Sequence, residues 1–486
     1  MTETMTHTET VPLRLLIDGA WIKGTGTDLE SASPTDPGRV VAAGGTATVN
    51  DVRTAMAAAR AAAAGWAATP MAERGGYLSR AAEIVTANAD AWGTELAREE
   101  GKTVAEGRGE VLRAAQILTY YSAESDRLAG EVFSSPRRGE QILVTRKPLG
   151  VVGVITPFNF PIAIPAWKIA PALVFGNTVV WKPASAVPLL AMRLAQALVE
   201  AGLPAGVLNL VIGSGALGNE IVNHPDLDGL TFTGSTGVGR KLAALAAGAG
   251  VPIQAEMGGK NASVVLEDAD LDLATEQVLF GAFRSTGQKC TATSRLILQE
   301  SIADAFLERL RERLGQWKTG DPTDPSVHMG PVVSPAAAQQ IRDGVAASIA
   351  QGATVGFEGD VASLGDAFVA PTVLEVPDAG NDAWREEFFG PVLAVRRVAT
   401  TEEAFELAND SEYGLSCALF TRDLTQALAA MESIDVGILH VNSESAGADP
   451  HVPFGGAKKS GYGPKEQGGA AKEFFTHTTT VYLRGA

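Results

Sequence analysis

The sequence predicts an α/β protein of two tandem units, each a mostly parallel sheet with helices on both faces. Three observations predict it. After Gly150 short apolar runs alternate with amphipathic stretches, the rhythm of strand–helix–strand crossovers. A second such rhythm begins near Ala262. The 486 residues also exceed what one hydrophobic core supports, so two or three domains are expected.

The elements follow in order. Residues 1–11, rich in Thr and Glu, lack the basic stretch and apolar run of a signal peptide and read as a frayed tail. Residues 51–68 are Ala-rich and helical, with Asn50 as the natural cap. Helical patterns continue from 72 to about 127, and residues 141–146 alternate like a strand. Residues 151–156 and 178–181 read as buried strands and 189–201 as a helix. Residues 207–212 and 230–233 are strands, and 237–247 a helix. In the second rhythm 263–266, 296–298 and 392–395 are strands with helices between. The β-branched and aromatic run 478–483 is a last strand. Such tandem units suggest a cofactor domain and a catalytic domain with a cleft between them.

Composition removes several classes. A formal net charge of -17 repels phosphate backbones, so nucleic acid is not an expected partner. Two cysteines cannot build a disulfide scaffold, and a reducing cytoplasm suits them. No apolar run approaches the ~18 residues of a membrane helix, since Pro157, Pro161 and Pro165 break the best candidate. The six histidines lack metal-ligand spacing, and neither a Walker loop nor a Gly-x-Ser-x-Gly elbow occurs.

Several residues are placed to carry chemistry. Cys290 lies in the polar run Gly287-Gln-Lys-Cys290, after a helical stretch ending near Arg284. By residue type alone a single Cys is more often a small packed side chain than a nucleophile. A thiol of pKa ~8.5 needs a base or a positive field to ionise at neutral pH, and Lys289 is adjacent in sequence. Cys417, in the apolar run Leu415-Ser-Cys-Ala-Leu-Phe420, reads as packing. Glu256 ends a strand-like run before Gly258-Gly259 and either activates water or is a solvated turn residue. Asn159, in a proline-rigid apolar turn, either donates to an oxyanion or caps its own turn. Lys182 follows a strand and either reaches a ligand or is a solvated surface lysine. Gly234-Ser-Thr-Gly-Val-Gly239 links a strand to a helix, as a pyrophosphate-binding turn does, although its spacing is not the usual fingerprint.

Together the segments resemble the aldehyde dehydrogenase superfamily from about Leu16 to Tyr482. The resemblance rests on Pro157-Phe-Asn-Phe-Pro161, Lys182-Pro-Ala, Phe232-Thr-Gly-Ser-Thr236, Glu256-Met-Gly-Gly-Lys260, Gly287-Gln-Lys-Cys290, Glu386-Glu-Phe-Phe-Gly-Pro391 and Pro453-Phe-Gly-Gly456. Any one is weak, but seven in order are specific.

By position, the resemblance implies that Cys290 is the nucleophile, Glu256 the general base, and Asn159 with the Cys290 N–H the oxyanion hole. It gives Thr156, Pro157, Phe158, Lys182, Ser185, Gly234, Ser235, Glu387 and Phe389 to the cofactor, and Arg284, Trp167 and Phe454 to the substrate. It implies a Rossmann-like dinucleotide-binding domain (1–129 and 149–258), an α/β catalytic domain (259–458) and a small β oligomerisation arm (130–148 and 459–486), assembling as a homodimer or homotetramer. A glutamate at 256 argues against the branch that passes the thioester to CoA.

Two departures bear on specificity. Many NAD-preferring members carry Glu where this chain has Ser185, so NADP is expected to be accepted and slightly favoured over NAD. Arg284 matches the arginine with which succinate-semialdehyde dehydrogenases hold the substrate carboxylate, but their second arginine is Trp167 here. The lesser alternative for Arg284 is a helix-end salt bridge. Residues 158–168, 283–295 and 441–454 look most like 2,5-dioxopentanoate (α-ketoglutarate semialdehyde) dehydrogenases, so a small carboxylated semialdehyde is the expected substrate. Succinate semialdehyde and uncharged aliphatic or aromatic aldehydes are the alternatives. Outside that activity stand a catalytically idle binding protein, which the intact Cys290, Glu256 and Asn159 disfavour, and an acyl-phosphate reductase, which needs no deacylating base.

Overall fold

The computed structural model describes residues 10–485. They divide into two units, one drawn from residues 10–100, 108–230 and 475–485, the other from Gly101–Gly107 and Thr231–Phe474.

In the first unit the buried strands Val151–Ile155, Thr178–Lys182 and Leu208–Leu210 pair in parallel. Every residue of the three is buried, as strands covered on both faces require. Leu15–Ile17 then joins antiparallel, and the hairpin partner Ala20–Ile22 follows it. Asp18 (φ 52°) and Gly19 (φ 76°) form the two-residue turn, an Asp-Gly signal the sequence reading passed over.

The helices Val49–Ala68, Ala163–Val174 and Leu189–Glu200 fall where the sequence puts helices or apolar runs. One cap differs. Thr48, not Asn50, starts the first helix, because Thr48 Oγ1 accepts from the Asp51 N–H while the Asp51 carboxylate accepts from the Thr48 N–H. The frayed-tail expectation also fails in part. Residues 1–9 lie outside the described residues, but Val11–Pro12 pairs in parallel with Val40–Gly45. Backbone bonds such as Leu13 N–H to the Ala43 carbonyl hold it there.

A three-stranded antiparallel sheet completes this unit: Thr476–Arg484, Glu140–Pro148 and Glu131–Ser134. Its outer strands expose Val132, Phe133, Tyr482 and Leu483.

The second unit holds a seven-stranded sheet in the order Thr354–Glu358, Thr372–Glu375, Val392–Val398, Thr293–Gln299, Asn261–Val265, Ser416–Phe420 and Ile438–Val441. All neighbours run parallel except the first pair. One face packs on Trp384, Phe405 and Ile341, the other on Phe283, Phe306 and Leu310. Cys417 is buried on the strand Ser416–Phe420 and packs as expected. Separately, Ile253–Glu256 pairs antiparallel with Gly461–Tyr462, so Glu256 stands at a strand end opposite Gly461.

In the first unit a buried arginine ties helix ends together. Arg74 Nε donates to the Val174 carbonyl at 2.8 Å, and Nη1 donates to the carbonyls of Trp66, Ala67 and Thr69. Each acceptor belongs to, or just follows, the last turn of a helix, where carbonyls lack intrahelical donors. We expect Arg74→Ala to lower the unfolding free energy by about 3 kcal/mol by removing the side-chain donor that these helix-end carbonyls share. A urea midpoint unchanged from the parent's would contradict this.

Candidate active site

Cys290 follows a turn that only a strongly pinned chain adopts. Ser285 (φ 54°), Thr286 (φ 54°) and Gly287 (φ 69°) lie consecutively in the left-handed region, which is costly for the two non-glycine residues. Side chains from distant segments hold it. Ser285 N–H donates to Glu106 Oε1 at 2.7 Å, and Thr286 Oγ1 donates to the Gly330 carbonyl. Val333 N–H donates to Gln288 Oε1 at 3.0 Å. Asn261 Nδ2 donates to the carbonyls of Cys290 (2.8 Å) and Ala292 (2.9 Å), while its Oδ1 accepts from the Ser416 N–H. Cys290 keeps a little exposed surface, unlike Cys417, although its surroundings desolvate the thiol.

Two carboxylates face the thiol's neighbourhood. Glu256 is buried and accepts from the Gly456 N–H at 3.0 Å, which removes the solvated-turn alternative. Glu387 accepts from the Gly259 N–H at 2.9 Å. Glycine makes both approaches possible: a Cβ on Gly258 would stand 2.0 Å from Glu387 Oε2, and one on Gly455 2.3 Å from Glu256 Oε1. The Cys290 thiol is pushed up to about 12, first by burial and then by the charges of Glu387 and Glu256, against the pull of the Thr291 and Cys290 N–H groups. Burial also raises Glu387 to about 7. Beside it, buried Lys260 is drawn down to about 7 by desolvation and by Arg295, and its ammonium lies 5.3 Å from the centre of the Phe388 ring. Phe389 follows with a left-handed backbone (φ 53°).

Lys289 does not serve the sulfur. Its Nζ donates to the Phe280 carbonyl at 3.1 Å and lies 3.6 Å from Glu444 Oε2. The adjacency in sequence is therefore no source of a field on the thiol, because the side chain is spent elsewhere. Arg284, at the end of the helix Leu271–Phe283, lies on the Phe280 ring (3.6 Å to its centre), and its Nη1 is 3.8 Å from Glu444 Oε1. The helix-end ion pair thus exists, but loosely, with the arginine side chain 45% exposed. Phe454 is buried and joined to Glu466 by reciprocal backbone bonds. Gly234 N–H donates to the Glu256 carbonyl, and Ser235 heads the helix Thr236–Gly248 without its side chain capping it.

The remaining candidates belong to the first unit. Thr156, Pro157, Phe158 and Asn159 form the turn between the strand Val151–Ile155 and the helix Ala163–Val174. Asn159 is buried, and Thr156 Oγ1 accepts from Trp181 Nε1 at 2.9 Å. Glu110 Oε1 anchors the turn's far end, accepting from the N–H groups of Ile162 (3.0 Å) and Ala163 (3.3 Å). Lys182 ends the strand Thr178–Lys182 and is 6% exposed, which excludes a solvated lysine. Desolvation lowers it to about 8, and its ammonium donates to the Pro183 carbonyl. Ser185 is half-buried three residues on, and Trp167 is buried in the helix Ala163–Val174.

The sequence reading missed Glu106, Glu110, Lys260, Asn261, Gln288 and Glu444. A signal existed for Glu106: Thr103-x-x-Glu106 is a capping-box pattern, and the two residues do bond reciprocally.

Comparison with known proteins matches the Aldehyde dehydrogenase family over residues 21–481. The chain is 41% identical over 474 residues to an alpha-ketoglutaric semialdehyde dehydrogenase of Bacillus subtilis (strain 168), covering 96% of this chain and 97% of that one. It is 40% identical over 481 residues to an alpha-ketoglutarate semialdehyde dehydrogenase of Haloferax volcanii, covering 97% and 99%. Among solved structures it resembles an NAD-dependent aldehyde dehydrogenase from Sinorhizobium meliloti, with a TM-score of 0.94 at 34% identity, covering 98% of this chain and 95% of that chain.

The electrostatics around the thiol give a test. Without added dinucleotide, iodoacetamide alkylation of Cys290 should quicken steeply as pH rises above neutrality. Glu387→Gln, which keeps an acceptor for the Gly259 N–H, should speed it at least about threefold at fixed pH by removing one opposing charge. Equal rates in variant and parent would show that Glu387 does not act on the sulfur.

Proposed function

The chain belongs to the aldehyde dehydrogenase family, oxidoreductases that act on aldehydes with NAD or NADP, and we propose that it oxidises a small aldehyde bearing a terminal carboxylate, 2,5-dioxopentanoate foremost. The observation that carries the substrate reading is Arg284. It stands six residues before Cys290, at the head of the pinned turn, with its guanidinium part-exposed and only loosely paired. A guanidinium so placed offers a carboxylate two parallel hydrogen bonds, which fix orientation as well as affinity. Both relatives named above act on such a semialdehyde. Trp167 and Phe454 are assigned to the walls of the substrate site.

In this reading the Cys290 thiol gives up its proton toward Glu256 and the sulfur adds to the aldehyde carbon. The carbonyl oxygen becomes an alkoxide, held by the Cys290 N–H and the Asn159 amide. A bound dinucleotide supplies the acceptor for the hydride that then leaves that carbon. Glu256 passes that first proton to solvent and then takes one from the water that attacks the thioester; the carbon–sulfur bond breaks, the sulfur leaves as thiolate, and the acid is released. A base in that place favours release to water over transfer to CoA.

The residues present fit a dinucleotide. Among the described residues the Lys182 ammonium, at a parallel strand's carboxyl end, bonds a neighbouring carbonyl, which leaves protons for a ligand. Ser235 keeps its hydroxyl out of the helix cap, as a pyrophosphate contact would need, with Gly234 giving close approach. Glu387 suits the nicotinamide ribose hydroxyls, and Phe389 packs beside it. Thr156, Pro157 and Phe158 complete this assignment. Ser185 in place of a carboxylate favours NADP, since no charge opposes a 2′-phosphate. The dinucleotide-binding, catalytic and arm segments are assigned to 1–129 with 149–258, 259–458, and 130–148 with 459–486. The exposed Val132, Phe133, Tyr482 and Leu483 on the three-stranded sheet support a homodimer or homotetramer. A cytoplasmic site suits a free, nucleophilic thiol.

A panel of carboxylated and uncharged aldehydes with both cofactors tests the reading. Cys290→Ala should abolish NAD(P)H formation. Arg284→Ala should cut kcat/KM for 2,5-dioxopentanoate at least about tenfold relative to an uncharged aldehyde of equal length; an unchanged ratio sinks the substrate assignment. Ser185→Glu should lower the NADP-to-NAD ratio of kcat/KM by about tenfold or more. Retention of the parent's ratio would refute that part.

A further inference from the structure

The ion cluster around Arg284 is built from one anion and two cations that never close on each other. Glu444 Oε1 lies 3.8 Å from Arg284 Nη1, and Oε2 lies 3.6 Å from Lys289 Nζ. Both separations exceed the roughly 2.8 Å of a charge-assisted hydrogen bond. Oε2 is enclosed and, among the described residues, has no donor within ordinary hydrogen-bond distance, Lys289 bearing on it weakly from 3.6 Å. A poorly solvated carboxylate without a close donor is a costly arrangement that a small movement would relieve.

Each cation has a second contact on Phe280, whereas the Glu444 carboxylate faces the two cations alone among the ion pairs of the described residues. Phe280 holds both, Arg284 on its ring and Lys289 through its carbonyl. Lys289 is buried, whereas Arg284 opens to solvent. The Glu444 backbone is tethered by its N–H to Gln277 Oε1 at 3.0 Å, so the carboxylate moves by side-chain rotation alone. Other charged or titratable groups bear on the cluster. Glu106 adds a negative charge that acts on Lys289, and His440 lies near enough to feel Glu444.

We propose that Glu444 is a specificity-determining counter-ion that passes from Arg284 to Lys289 when a carboxylated aldehyde binds. With Arg284 unengaged, Glu444 straddles the two cations and neutralises both in part. The incoming carboxylate takes Arg284, and Glu444 closes by roughly 1 Å onto Lys289, gaining the hydrogen bond it lacks. Lys289 is then a positioning residue that acts through Glu444. It receives the displaced charge, so the substrate's anion does not meet an unpaired one. An uncharged aldehyde draws no exchange. This deepens the substrate assignment above and rests on it.

The test is a double-mutant cycle read as the ratio of kcat/KM for 2,5-dioxopentanoate to that for an uncharged aldehyde of equal length. Glu444→Gln removes the competing anion and should raise the ratio by about threefold, the effect of one unit charge ~6 Å away in a water-like medium. The change should lie in KM. Lys289→Met strands Glu444 on Arg284 and should lower the ratio by a similar factor, while Lys289→Arg should retain it. In the double variant the Lys289 effect should vanish, leaving the ratio of Glu444→Gln alone. Two outcomes overturn the proposal: Glu444→Gln leaves or lowers the ratio, as it does if both aldehydes respond equally, or the double variant falls below Glu444→Gln. Should Lys289→Met not fold, the Glu444→Gln and Lys289→Arg results still decide it. Arg284→Ala separates the two layers: if it leaves the ratio unchanged, the carboxylate assignment has failed, whereas a collapsed ratio beside an unresponsive Glu444→Gln condemns the counter-ion exchange alone.

Discussion

Cys290 sits where burial, Glu387 and Glu256 all oppose the thiolate. The second unit's local architecture maintains that opposition. Glycines at 258 and 455 admit the carboxylates, backbone N–H groups fix them, and a left-handed turn pinned by Glu106, Asn261 and Gln288 presents the sulfur. A thiol held in its protonated form resists oxidation and stray alkylation, and ionises when a base or a neutralised neighbour allows. Placing Glu387 and Lys260 both near 7 makes the surrounding charge responsive to a ligand that engages either one.

The turn before Cys290 has an energetic consequence. Ser285 and Thr286 adopt a backbone that each would avoid in isolation, and bonds from residues far away in sequence hold them there. The strain is compensated by the fold and not by local sequence. The position of the thiol therefore depends on residues distant from it in the chain.

What was legible in the sequence follows from this distinction. The strands Val151–Ile155, Thr178–Lys182 and Val392–Val398 could be read because apolar runs and their spacing are local properties. Cys290, Glu256 and Lys182 could be singled out because motif neighbours travel with them in the chain. Glu106 and Glu444 could not: the Glu106–Ser285 bond spans 179 positions, and the Glu444 backbone contact with Gln277 spans 167. The direction of Lys289 was equally hidden, since adjacency gives no side-chain orientation. Asp18-Gly19 and the Thr103/Glu106 capping box, by contrast, were local signals and readable in principle.

The ladder between Glu140–Pro148 and Thr476–Arg484 carries an implication for biogenesis. Thr145 and Thr479 are 334 positions apart, so the middle strand of this sheet leaves the ribosome long before its partner exists. At about 5–20 residues per second the wait is some tens of seconds. Through that interval the nascent strand keeps an unpaired edge, open to whatever chaperone or neighbouring polypeptide reaches it first.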